Sequence, residues 1–79
     1  ILIKADKQIW PYIESKPLHG SQKFIKQIDS EIIIELNLQV NHEFMALLFS
    51  YMDAIEVLGP ISIREKIKKI SETIFKKHS

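Results

Sequence analysis

The chain has 79 residues, no cysteine and a formal net charge of +1, and 46% of its residues are hydrophobic. That length accommodates one domain, 1–79, with one apolar core, and the missing cysteines exclude a disulfide framework and a thiolate metal site. The longest apolar stretches, Ile32–Ile34 and Phe44–Phe49, fall far short of the roughly 20 residues that a membrane span needs, so a soluble domain without a membrane partner, in the reducing cytoplasm, is expected.

The opening Ile1-Leu2-Ile3-Lys4 has no initiator methionine and none of the basic and long apolar regions of a signal peptide, and it reads as a piece of a longer protein. A core of this size buries only about 60–65% of the unfolded surface, so net stability is expected to be thin and docking onto another domain to help. The charge is unevenly placed: residues 1–59 carry five lysines against eight acids, and residues 60–79 carry six bases against two acids.

In chain order, Ile1–Ile3 reads as a short strand, and Asp6 is placed to cap a helix through Lys7 to Ser15 with Ile9, Trp10 and Ile13 on one side. Pro11 lies inside that helix and either shortens it or marks its effective start. Trp10 and Tyr12 are expected to complete the core rather than to anchor a partner. Lys16–Ser21 reads as a loop, because Pro17 biases Lys16 away from helical angles.

Residues 22–28 and 31–40 follow as two strands around an Asp29-Ser30 reversal. In the second, Ile32, Ile34, Leu36, Leu38 and Val40 alternate with Ile33, Glu35, Asn37 and Gln39, giving one buried and one wet face. Asn41 caps a second helix, with Glu43 in its first turn and apolar residues at helical spacing up to Met52. Residues 54–58 form a short strand that Gly59-Pro60 stops. Ser62 and Glu65 make an S-x-x-E capping box for a last helix, in which Ile63, Ile67, Ile70 and Ile74 step along one face. The order β-α-β-β-α-β plus a helix predicts an α+β fold: a ferredoxin-like antiparallel sheet with helices on one face and an added C-terminal helix.

No residues are assigned to catalysis, metal or cofactor. His19, His42 and His78 lack ligand spacing, and no phosphate loop or nucleophile elbow occurs in a chain with two glycines. Candidate contacts for a ligand or partner are His19, Ser21 and Gln22, polar side chains grouped on one loop, although they equally suit holding that loop in place. Arg64 in the first turn of the last helix opposes the helix dipole and calls for a carboxylate or phosphate, supplied either from outside or by Glu56 or Glu35. Lys68 and Lys69 lie on a basic face that either meets phosphates or is simply solvated.

Pro17-Leu18-His19-Gly20-Ser21-Gln22 resembles a P-L-H-x-S-Q motif, and residues 55–67 are similar to a v-e-V-l-x-P-x-x-L-R-e-x-I signature. Val40–Phe44 and Leu47–Tyr51 resemble the strand end and helix between them. Together they resemble the C-terminal extension, or WCX region, of WYL-domain bacterial transcriptional regulators. The chain departs from the pattern at Met52, where glycine is usual, so that Met52 or Asp53 would have to make the left-handed helix stop, and at Gly59, where an acid is common.

The resemblance implies a non-enzymatic effector-sensing and oligomerisation module that packs against the WYL domain of its own or a partner protomer, with pairing into a homodimer. It also implies that DNA is met only through an N-terminal domain absent from these residues, and that the effector is a nucleic acid or a small molecule. The alternative is an ACT-like small-molecule-binding domain. An RNA- or single-stranded-DNA-binding module is less favoured, because Ile33, Glu35, Asn37 and Gln39 offer no aromatic for stacking bases.

Overall fold

The computed structural model describes residues 1–51 and 53–79. Its elements run β1 (Leu2–Asp6), α1 (Trp10–Ser15), β2 (Lys23–Ile28), β3 (Glu31–Glu35), α2 (His42–Phe49), β4 (Ile55–Gly59) and α3 (Ile61–His78). The strands form one antiparallel sheet in the order β2-β3-β1-β4, so the α+β class and the C-terminal helix are as expected.

The sheet is built around β1, which pairs with β3 on one side and β4 on the other. Period-two alternation sends Ile3 and Ala5 to one face together with Ile32 and Ile34 of β3 and Ile55 and Val57 of β4. Ile13 of α1 and Phe44, Met45 and Leu48 of α2 close over these residues, and Ile63, Ile67 and Ile70 of α3 pack against the same cluster. Ile3, Ala5, Ile34 and Leu48 reach 0% exposure.

The other face carries charge. Lys4 Nζ lies 3.2 Å from Glu56 and 3.3 Å from Glu31, and Arg64 of α3 lies 3.4 Å from Glu56 while also donating to the Val57 carbonyl. The network fastens β3, β1, β4 and α3 together. The Lys4 ammonium, and behind it Arg64, holds the Glu56 carboxyl below its usual value, and Glu56 and then Glu31 raise the Lys4 amine.

Several expectations are corrected. β1 extends to Asp6, because Ala5 and Asp6 still find partners in Ile32 and Glu31; Asp6 is therefore a strand residue and not a helix cap. The first helix begins at Trp10, with Pro11 in its opening turn, where a missing N–H leaves no gap. Trp10 is half-buried beside Phe24, at 5.9 Å between ring centroids, whereas Tyr12 is exposed and stands 6.2 Å from Tyr51 instead of completing the core.

β3 stops at Glu35 and not at residue 40, because its register partners Leu2 and Lys23 are the first residues of their own strands. Leu36 nevertheless stays buried and exchanges bonds with Ile1, N–H to carbonyl at 2.8 Å in each direction. Ile33, expected on the wet face, is buried, since Lys4 and Lys26 flank it in register and long lysine stems cover apolar neighbours. β2 reaches no core position: all six residues are exposed, and its register shifts between Phe24 and Lys26.

Asp29 takes a φ of 53° at the reversal, a conformation that aspartate tolerates better than most residues. α2 ends at Phe49, and the expected extension and helix stop at Met52 fall outside the described residues. The capping box is absent. α3 starts at Ile61, because the Pro60 carbonyl accepts the Ile63 and Arg64 amides at 3.1 and 3.3 Å, and Ser62 lies inside the first turn without capping it. Ile74, expected on the packed face, is exposed along with Phe75.

Two predictions follow from this packing. Leu48→Ala should lower unfolding free energy by about 2–5 kcal/mol in a denaturant titration, while Phe75→Ala should leave it within about 0.5 kcal/mol. Because the folded-state carboxyl of Glu56 is depressed, its stabilising contribution is complete above the ordinary carboxylate range and is lost as pH falls through the depressed value. Glu56→Gln should therefore cost under about 1 kcal/mol at neutral pH, less in high salt, and nothing in strong acid, as read from melting temperatures across pH.

Candidate functional site

The loop between α1 and β2 begins at Lys16, whose extended φ of −133° and ψ of 81° suit a residue before proline. Its other end is anchored by Gln22. Gln22 Oε1 accepts the Leu18 amide at 2.9 Å, and Gln22 Nε2 donates to the Ile13 carbonyl at 3.2 Å, tying the loop to the end of α1.

Between these anchors, the Ser21 amide donates to His19 Nδ1 at 3.0 Å, and Ser21 Oγ lies 2.7 Å from the same nitrogen. Ser21 Oγ also accepts the Asn37 amide at 2.9 Å from the segment that follows β3. A nitrogen that accepts a backbone N–H carries no proton. The network therefore assigns His19 as the neutral Nε2–H tautomer and sends the Ser21 hydroxyl proton to Nδ1.

Next to His19 the loop, the Leu36–Asn41 segment and α2 enclose an open groove of about 510 Å³. Leu18, Leu38, Phe44 and Leu47 give it apolar walls, and His19, Gln39, Asn41 and Glu43 supply its polar part. Asn41 is committed, since its Oδ1 accepts the Phe44 amide at 2.8 Å and caps α2. His19, Gln39 and Glu43 are exposed, so their polar atoms are accessible to an incoming group.

The expected contact residues thus separate. His19 and Ser21 are together but only His19 lines the groove, and both polar ends of Gln22 are spent on its own backbone. Arg64 is elsewhere, in a hollow of about 210 Å³ lined by Ile55, Val57, Ile67, Glu56 and Lys68. Its guanidinium already has an acid and a carbonyl, so the chain's own Glu56 answers the call for an anion that its place in the helix raised. Lys68 shares that hollow and Lys69 lines neither. Glu43 was legible only as a favourable first-turn acid, and Leu38 and Leu47 only as core. Their half-burial at the groove was carried by no local pattern.

The sheet is thus covered on one side and carries a loop-and-helix groove at its margin. The family model for the WCX domain matches residues 1–74, and the chain belongs to that family. This membership fits a regulatory accessory domain of WYL-type regulators. No curated protein and no solved structure matches the chain. Among the described residues no helix is long and apolar enough to cross a membrane.

Gln22→Ala should strand the Leu18 amide and the Ile13 carbonyl and cost about 1–3 kcal/mol in urea unfolding, in contrast to a near-neutral Lys69→Ala.

Proposed function

We propose that this WCX domain is a non-enzymatic regulatory module of ferredoxin-like topology that docks, through the groove beside His19, onto the WYL domain of its own or a partner protomer. The topology reading is supported by the sheet order, in which β1 and β3 are the central strands of two β-α-β halves. The observation that carries the docking role is the groove itself. Leu38 and Leu47 remain half-exposed beside the buried Leu18 and Phe44 on a chain with a small core, and covering them by a neighbour stabilises both.

In this role the module couples an effector to the assembly of its parent regulator, and DNA is engaged by the parent's separate reading domain. A small-molecule effector is the second reading, favoured by a volume within the roughly 300–1,000 Å³ usual for such sites. The basic face at Lys68 and Lys69 supports a nucleic-acid effector less well. Lys68 sits beside Glu56, and α3 also carries Glu65 and Glu72.

Leu47→Arg in the full-length regulator should test the role. Light scattering is expected to report at least a tenfold weaker protomer association, about 1.4 kcal/mol, with circular dichroism unchanged. A parent whose assembly and operator binding are unaffected both by this change and by removal of the whole module would overturn it.

A further inference from the structure

We propose that the groove is gated by His19, whose neutral imidazole is held at the edge of the groove by Ser21 and whose protonation releases the ring over it. The idea rests on the groove being the docking surface proposed above, and it concerns the regulation of that surface.

One bank is Leu18 and His19, from the α1–β2 loop; the other is Leu38, Gln39 and Asn41, from the segment after β3. The bond that joins them is Asn37 N–H to Ser21 Oγ, at 2.9 Å across 16 residues of sequence. That hydroxyl is oriented by His19. Its proton goes to Nδ1, which leaves a lone pair facing Asn37, and the Ser21 amide converges on the same Nδ1 from the backbone. Nδ1 is thus an acceptor shared by two donors.

A proton on Nδ1 turns it into a third donor facing the other two. The Ser21 amide then has no partner in this cluster, and the hydroxyl proton must turn away from the ring, so that the tie between His19 and Ser21 is lost while a lone pair of Ser21 Oγ still accepts the Asn37 amide. Both bonds to the ring nitrogen are therefore coupled to one proton, and the Asn37 amide senses it through the hydroxyl whose proton turns.

The charged surroundings bias the outcome. The segment Leu36–Asn41 carries no ionisable side chain, the loop is bounded by Lys16 and Lys23, and α2 places Glu43 in the wall of the same groove. The imidazolium leaves Ser21 and is drawn toward the only carboxylate among the groove-lining residues, so that the ring moves over the apolar walls. Gln22 uses no titrating group, so its two bonds keep the loop fixed to α1 and the change stays local. The groove is open to a partner on the neutral side and obstructed on the acidic side.

The test is an NMR titration of the 79-residue chain from pH 8 to pH 5, following the ring nitrogens of His19 and the backbone amides. At high pH the ring should report an unprotonated Nδ1 and a protonated Nε2. On acidification the Ser21 and Asn37 amide resonances should shift with the same midpoint as the ring, while Ile34 and Leu48 stay in place. Ser21→Ala should abolish the Asn37 response, His19→Gln should make both amides insensitive to pH in a folded chain, and Glu43→Gln should shift the whole titration toward acid. An Nδ1–H tautomer at high pH, or Ser21 and Asn37 amides that ignore the ring titration, would overturn the gate. These signals are read on the free chain, whereas Leu47→Arg in the parent reads docking, so failure of one is distinguishable from failure of the other.

Discussion

Everything in this domain hangs on β1 being sandwiched between β3 and β4. A five-residue strand with neighbours on both sides satisfies its backbone within the sheet and presents Ile3 and Ala5 to a single apolar layer. Because the side-chain period is two, a one-residue slip of β1 would turn Lys4 into that layer and expose Ile3. The ion pairs of Lys4 with Glu31 and Glu56 guard the same register from the opposite face. They matter more for specifying the pairing than for stability, since exposed pairs contribute little.

The site depends on this frame indirectly. β3 ends where its neighbours begin, and the chain leaving it is free of the ladder just where Asn37 meets Ser21. The Asn41 cap then turns the chain into α2, which lays Phe44 and Leu48 on the sheet and leaves Leu47 at the rim. A groove between a loop and a helix is therefore a product of strand length and of one capping residue. Its polarity comes from a loop that spends most of its hydrogen bonds on itself.

Alternation and helical spacing made β1, β3, β4, α2 and α3 readable from the residues, because each turns a buried or, in α3, half-buried apolar face to the core with its own period. β2 was legible as a strand too, from its place before the Asp29-Ser30 reversal, but not as an exposed one. As a margin strand with a register shift it buries nothing, and Phe24, Ile25 and Ile28 stay exposed. The Ser62–Glu65 box misled because the Pro60 carbonyl had already opened the helix. In the loop, the importance of His19, Ser21 and Gln22 was legible but their division of labour was not. Gln22 finds Ile13 nine residues away and Ser21 finds Asn37 sixteen away, and such pairings are decided only by the closed fold.

The two margins of the sheet are unequal. At β4, α3 lies alongside and Arg64 occupies the Val57 carbonyl, while β2 has no helix packed across its outer side and no buried residue. β2 is thus the barer edge of the sheet, and β4 the partly occupied one. The arginine that ties down the last helix therefore also occupies an edge carbonyl that a further strand would need.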